Sequence, residues 1–236
     1  MEPFRIIQIF VVQLGLGLFF LYLGVKILRR DTKKFNLLVF IFYLFIFIST
    51  IINIIYVNLE QVKYQQTVKV LHFLTLNFSS CSFIFLLVFN LILYKSEKVF
   101  DPKKQAMVTG FYLCINLIPL FLINNHLELG PSTDWYPDHD VVYFTVQTIL
   151  FLAVCIPMLY YGFKVLNKFK SKPVKKKFKF YILGLITHII AGQGILVSNY
   201  LSIPTFRITW AIIGLILIIN TSVSIYRGLA KQISKD

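Results

Sequence analysis

The sequence predicts an all-α integral membrane protein, a bundle of seven transmembrane helices with the amino terminus outside and the carboxyl terminus in the cytoplasm. Three observations predict this fold. Of the 236 residues, 57% are hydrophobic and only 14% are charged, whereas about a quarter of a soluble domain is charged. The charges separate apolar runs of about 20 residues, the length that crosses the hydrocarbon core of a bilayer. The basic residues also cluster in alternate loops, which orients the helices.

Seven apolar runs follow one another along the chain. Helices and closed barrels are the structures that satisfy backbone polar groups in lipid, and these runs are too long and too uniformly apolar for barrel strands. The first run is too long for a signal-peptide core, and its positive charge follows it, so we expect it to be retained. We predict one seven-helix domain over residues 1–236, with spans at about 6–28, 37–57, 70–94, 107–123, 141–163, 180–200 and 208–226.

The basic residues fix the expected orientation. Of the 24 Lys and Arg residues, 20 follow spans one, three, five and seven, and the 4 others lie on the opposite side, namely Arg5, Lys63, Lys69 and Arg207. The largest group is residues 164–179, with eight lysines and no acid. Positively charged loops stay in the cytoplasm. We therefore predict a multi-pass protein of the plasma (cytoplasmic) membrane, and we exclude nucleic acid as the reason for the charge.

Two prolines and one long loop interrupt this pattern. Pro119 in the fourth span and Pro157 in the fifth each remove a helical hydrogen bond, so kinks are expected there. The loop at 124–140 contains four acids and two histidines but no Lys or Arg. We interpret it as a solvated acidic loop. The alternative is a loose divalent-cation site around Asp138, His139 and Asp140, with a spacing that matches no defined motif.

Polar side chains inside the spans are the candidate ligand-binding residues. His188 and Gln193 form the most polar patch of any span, and small residues around them allow close helix packing. Asn77 and Ser80 share a face of span three, and Gln147 lies in span five. Each has two interpretations: a hydrogen bond between helices, or a pocket among the outer halves of spans three, five, six and seven.

Several function classes are disfavoured. No span has an acidic or basic side chain in its middle other than histidine, whereas ion-coupled transporters and proton pumps generally need one. No nucleophile elbow, phosphate loop or zinc-protease motif appears, so we expect no enzymatic activity, no catalytic residue and no metal site, and no cofactor is demanded. The cysteines at 81, 114 and 155 have no metal spacing. Lysines suited to anionic lipid headgroups or an acidic partner are Lys168, Lys170, Lys172, Lys175, Lys176 and Lys177.

The layout resembles the seven-transmembrane sensor modules of microbial histidine kinases. The first span ends in Arg29 and Arg30, a basic run at 175–179 enters span six just before Gly184, and span seven continues directly into the basic segment 227–231. This resemblance implies the sensing of an outside or membrane-borne signal. In that family the seventh span leads into an output domain, but this chain stops at Asp236, so we expect output through a separate cytoplasmic signalling protein.

The leading functional prediction is a non-enzymatic, receptor-like membrane sensor that binds a small ligand or responds to a membrane signal. Two alternatives remain open at this point. The chain is a small permease or channel subunit for an uncharged solute, or it is a lipid-interacting membrane scaffold.

Overall fold

The computed structural model describes residues 7–30 and 34–229. The described chain is almost entirely helical, as predicted. A π-helical turn at Ile7–Gln13 leads into the first of eight α-helices, and short 3-10 turns lie at Val62–Tyr64, Ile118–Phe121 and Pro131–Thr133. The helices are α1 (Leu14–Arg30), α2 (Lys34–Asn58), α3 (Gln65–Lys95), α4 (Pro102–Ile115), α5 (Ile123–His126), α6 (Val141–Lys168), α7 (Lys172–Leu201) and α8 (Pro204–Leu229).

Within the described residues, six helices are long and apolar enough to cross a membrane: α1, α2, α3, α6, α7 and α8. The protein is therefore a multi-pass membrane protein with an all-α fold. Pro157 lies inside the continuous helix α6 and does not end it. Arg5, Lys33, Lys231 and Lys235, which contribute to the charge asymmetry of the sequence, lie outside the described residues.

The fourth predicted span, 107–123, is not a single helix. Helix α4 ends at Ile115, a 3-10 turn follows at Ile118–Phe121, and the four-residue helix α5 comes next. Pro119 occupies the start of the 3-10 turn, where its missing N–H and fixed φ are compatible with a new turn but not with a continued α-helix. The expected kink at Pro119 is thus a break.

Helix α3 is the central helix of the bundle. In its most apolar membrane-length window 72% of residues are buried, against 28% in α1, α2 and α8. At 31 residues, α3 is about 46 Å long. Glycine on α7 lets α8 come close: a Cβ on Gly184 would lie 3.0 Å from the backbone nitrogen of Ile225 and from the carbonyl oxygen of Thr221. Small residues let membrane helices pack in this way.

One end of the bundle carries most of the described basic residues, and we call it the lysine-rich end. Lys34 at the start of α2 forms a 2.7 Å ion pair with Glu97, just after α3. Lys168 at the end of α6 donates a 2.6 Å hydrogen bond to the carbonyl of Tyr94. These contacts place the start of α2 and the ends of α3 and α6 at one level.

The opposite end is closed by a small hairpin, residues 127–139, and we call it the hairpin end. Its strands β1 (Leu127–Glu128) and β2 (Asp138–His139) pair antiparallel, with Leu127 opposite His139. The Gln65 side chain at the start of α3 donates to the carbonyl of Leu129 at 3.1 Å. The hairpin therefore sits over the first turn of the central helix.

Candidate functional site

Asn77 and Ser80, two predicted pocket residues, support the broken end of α4. The Asn77 amide donates to the carbonyl of Asn116 at 2.6 Å, and Asn116 is the C-cap residue directly after α4. The Ser80 hydroxyl lies 3.0 Å from the Tyr112 hydroxyl and donates to the Asn116 side chain at 3.3 Å. Carbonyls at a helix end need such partners. These two residues therefore have a structural role in this conformation.

His188 and Gln193 make separate contacts on α7. The His188 ring packs edge-on against Phe83 and Phe42, with centroid distances of 4.7 and 5.7 Å, and its Nδ1 has no hydrogen-bond partner. The Gln193 amide donates to Thr148 at 3.2 Å. Among the residues that the structure describes, no hydrogen bond joins these two side chains to Asn77 or Ser80, so the predicted pocket residues do not converge on one polar site.

Gln147 leads to a different cluster, at the hairpin end. Its amide donates to the Tyr143 hydroxyl at 3.3 Å. The Tyr143 ring meets the His139 ring with centroids 4.8 Å apart. Beyond His139 lies His72 of α3, and the Tyr56 ring of α2 covers His72 from the far side at 5.7 Å. We call these five residues the histidine cluster.

The core of this cluster is a direct contact between two imidazoles. Nε2 of His72 and Nε2 of His139 are 3.2 Å apart. The rings are 3% and 1% exposed, and neither Nδ1 has a hydrogen-bond partner. A hydrogen bond at this distance requires one Nε2 to carry the proton and the other to accept it. The pair therefore fits two neutral imidazoles of opposite tautomer.

The surroundings of His139 favour its neutral form. Burial lowers the pKa of His139 well below the ordinary value of 6.5, and the neighbouring His72 and the positive charge of Arg207 lower it further. Desolvation disfavours the charged form of a base, and a nearby cation adds to that effect. At neutral pH the contact between hairpin and α3 is thus an uncharged one.

Further bonds hold the hairpin from its other side. The Arg207 guanidinium of α8 donates to the carbonyl of Pro137 at 2.8 Å and to the Ser202 hydroxyl at 2.9 Å. The Ser202 hydroxyl in turn donates to the Asp138 carboxylate at 2.5 Å. Strand β2 is therefore bonded to α3 through His139 and to the turn between α7 and α8 through Asp138.

The loop at 124–140 is only partly the solvated segment that its composition predicts. Glu128, Asp134 and Asp140 are exposed, as expected, but His139 is buried. The prediction fails for His139 because strand pairing turns its side chain into the bundle, where aromatic rings enclose it. In residues 7–30 and 34–229, no group of three or more His, Cys, Asp or Glu side chains is arranged to hold a metal ion.

An open cavity of about 340 Å³ lies beside the hairpin. It is formed between the start of α3, helix α5 and strand β1. Its polar lining residues are Gln65, Lys69, Asn124, Asn125, Glu128 and Ser132. A small polar molecule fits such a volume. The hairpin thus forms one wall of a cavity while its strand β2 contacts the central helix.

The lysines predicted to contact lipid or a partner lie at the opposite end. Lys168, Lys170, Lys172 and Lys176 are exposed, and Lys175 and Lys177 are half-buried. Lys168 differs from the rest because its ammonium group lies 4.1 Å from the ring centre of Tyr94 as well as bonding the Tyr94 carbonyl. The others extend from the turn between α6 and α7 and from the first turns of α7.

The histidine pair could not be identified from sequence. His72 and His139 are 67 positions apart, and one lies in an apolar run while the other lies in an acidic loop. Two-residue strands are too short to give an alternating pattern. The one available signal was that both residues are histidines close to the same predicted membrane face.

Comparisons with protein-family models, curated proteins and solved structures find no match to this chain. The resemblance to sensor modules of histidine kinases therefore stays a prediction.

Proposed function

We propose that the protein is a non-enzymatic, receptor-like sensor of the plasma membrane, which receives a signal at the hairpin end and passes it to a separate cytoplasmic signalling protein at the lysine-rich end. The observation that carries this proposal is the central helix α3. Its first turns are bonded to the hairpin through Gln65 and His72. Its last turn accepts a hydrogen bond from Lys168 of α6.

A second set of contacts supports signal transfer along α3. Near the lysine-rich end, the Asn90 amide of α3 donates to the carbonyl of Met158 in α6 at 2.9 Å. The Tyr181 hydroxyl of α7 donates to Asn90 at 3.0 Å. All three groups are buried, so any rotation or shift of α3 must change these bonds. A movement of the hairpin is thereby coupled to α6 and α7, the two helices that flank the turn at the lysine-rich end.

We further propose seven crossings, with the interrupted segment 102–126 as the fourth. Pro102 follows Lys95 by a short turn at the lysine-rich end, whereas Asn124 accepts a 2.7 Å hydrogen bond from Gln66 at the start of α3. The segment therefore travels the whole length of α3. Met107 and Phe111 are each 68% exposed and Phe121 is 82% exposed, as side chains facing lipid are.

The proposed orientation puts the hairpin outside the cell and the lysine-rich end in the cytoplasm. Basic loops are retained on the cytoplasmic side, and the hairpin has acids but no Lys or Arg. The exposed lysines of the turn between α6 and α7 suit the anionic headgroups of the inner leaflet, at about 1 kcal/mol for each basic residue near the surface. They also suit an acidic partner protein, which the sensor would regulate.

A matched pair of substitutions tests the coupling. Lys170→Cys, labelled with an environment-sensitive dye in a Cys114→Ser background, reports on the lysine-rich end. Ser202→Ala removes the bonds to Asp138 and Arg207 and loosens the hairpin, whereas Ser132→Ala changes an exposed serine of the same hairpin. We expect the dye signal in lipid nanodiscs to shift with Ser202→Ala and not with Ser132→Ala. An unchanged signal in both variants, with the hairpin loosened, refutes the sensor proposal.

A further inference from the structure

The contact between His72 and His139 joins the hairpin to the central helix α3 through two titratable rings. We propose that this pair is a proton-operated latch: the neutral pair holds the hairpin on α3, and protonation of the two rings releases it. This inference rests on the proposed function and names its signal, a fall in pH on the hairpin side.

The neutral pair can hold because one Nε2 donates and the other accepts. When both imidazoles are protonated, every ring nitrogen is a donor. Two N–H groups would then face each other across 3.2 Å, and two positive charges would share a buried site. Protonation of both rings therefore converts the hydrogen bond into a repulsion, and the rings gain solvation only by separating.

The groups that face the pair supply no counter-charge. Tyr56 of α2 and Tyr143 of α6 present ring edges and faces. Arg207 of α8 adds positive charge near His139. The two acids that flank His139 are engaged elsewhere: Asp138 accepts from Ser202, and Asp140 accepts from His126 and from the Tyr143 backbone. A proton on the pair thus remains uncompensated until the hairpin moves.

The pH range follows from the released state. A solvated imidazole titrates near pH 6.5, whereas in the closed hairpin burial and the nearby charge of Arg207 lower the pKa of His139. Above about pH 6.5 the equilibrium between the closed and the open hairpin therefore does not depend on pH. As the pH falls below that value, the equilibrium shifts toward the open hairpin. Between pH 7.5 and 5.5 the summed statistical weight of the neutral and protonated forms of each released histidine rises about tenfold, so the opening equilibrium should rise about 100-fold for two histidines.

Thiol reactivity measures this equilibrium even where the open state is rare. Leu129 is 1% exposed, so a cysteine at that position reacts through the open hairpin, while a cysteine at the exposed Ser132 reacts freely. The ratio of the two rates, Leu129→Cys over Ser132→Cys in full-length Cys114→Ser protein in nanodiscs, cancels the intrinsic pH dependence of the thiol. We expect this ratio to rise about 100-fold from pH 7.5 to 5.5.

Histidine substitutions test whether the rise in the rate ratio at low pH comes from the pair of His72 and His139. His126→Gln removes a half-buried histidine of the same loop, one that bonds Asp140, and it should leave the rise intact. His139→Gln should reduce it to about tenfold, and the double variant His72→Gln with His139→Gln should abolish it, because paired glutamines hydrogen-bond without titrating. A rise that survives in the double variant overturns the latch. Should the double variant not fold, the protein with both histidines still decides, since a flat ratio between pH 7.5 and 5.5 overturns the latch by itself.

The signal of the dye attached at Lys170→Cys distinguishes a failure of this inference from a failure of the proposed function. If the hairpin opens at low pH and the dye signal does not change, the proton latch stands and the sensor proposal fails. If the ratio is flat, the proton latch is overturned, while the response to Ser202→Ala still tests the sensor with a different signal.

Discussion

The two ends of the bundle handle polar groups in opposite ways. At the hairpin end, polar side chains are turned inward and bonded: His139 is 1% exposed, and Arg207 bonds both a carbonyl and a hydroxyl. At the lysine-rich end, lysines such as Lys170, Lys172 and Lys176 stay exposed. The comparison teaches that most lysines of the lysine-rich end stay in solvent and need no tertiary contact, whereas the polar groups of the hairpin end hold a specific tertiary structure.

This difference explains which parts of the structure could be predicted. The long helices follow from length and hydropathy, which are local properties of the chain and are enforced by lipid. The sidedness prediction depends on lysines whose effect needs no tertiary contact. Features that depend on bonds between distant residues were beyond sequence reasoning, and the hairpin with its histidine pair is the clearest example.

The break after α4 shows the limit clearly. Pro119 signals a disturbed helix, but proline alone does not decide between a kink and an interruption. The outcome depends on Asn77 and Ser80, which bond Asn116 from another helix. The spacing of Asn77 and Ser80 predicts that they share one face of α3, but it does not predict that they bond Asn116. The same polar residues that suggested a pocket therefore stabilise a helix end.

The largest expected effect is on which end of the protein can be labelled from outside the cell, because we propose that the two ends face different compartments. In intact cells carrying Cys114→Ser protein, a membrane-impermeant maleimide should label Ser132→Cys and should not label Lys170→Cys. Both sites are exposed, so a difference in labelling between the two variants reports which side of the membrane each site faces. Labelling of both should follow permeabilisation. Labelling of Lys170→Cys in intact cells, with Ser132→Cys protected, would show that the orientation is inverted.

The next effect compares stability at the two ends. His139→Ala removes a buried ring and leaves His72 without its partner, so we expect a loss of about 2–4 kcal/mol in the free energy of unfolding. Lys176→Ala, at an exposed position of α7, should change it by less than about 0.5 kcal/mol. Thermal unfolding in detergent at pH 7.5 measures both.

At the lysine-rich end, we expect substitutions to change the amount of bound lipid rather than the stability. Replacing Lys168, Lys170, Lys172, Lys175, Lys176 and Lys177 with glutamine should lower the amount of anionic lipid that co-purifies with the protein, because each basic residue near the surface attracts such lipid by about 1 kcal/mol. The remaining basic residues still favour the same sidedness. Unchanged lipid content would argue that these lysines act through a protein partner or through topology alone.

The smallest effect uses two aspartates that cap helices at opposite ends. Asp140 accepts from the backbone N–H of Tyr143 at 2.9 Å at the start of α6, and Asp101 accepts from that of Lys104 at 3.0 Å at the start of α4. Asp140 also pairs with His126 at 2.5 Å. We expect Asp140→Ala to cost about 1 kcal/mol, and Asp101→Ala to cost less, because Asp140 also bonds His126 across the loop whereas Asp101 pairs with Lys104 of its own first helical turn.

The pH dependence of these two substitutions provides the check. Burial opposes ionisation of Asp140, but the bonds from Tyr143 and His126 outweigh it and hold the pKa of its carboxyl below the ordinary value. The backbone N–H of Lys104 likewise lowers the pKa of Asp101. A lowered carboxyl pKa stabilises the folded state above about pH 4, and that stabilisation disappears as the pH falls through the folded-state value. The difference in melting temperature between the parent protein and each variant should thus shrink as the pH falls below about 4. A larger loss for Asp101→Ala than for Asp140→Ala would contradict the view that the hairpin end is the more tightly specified of the two.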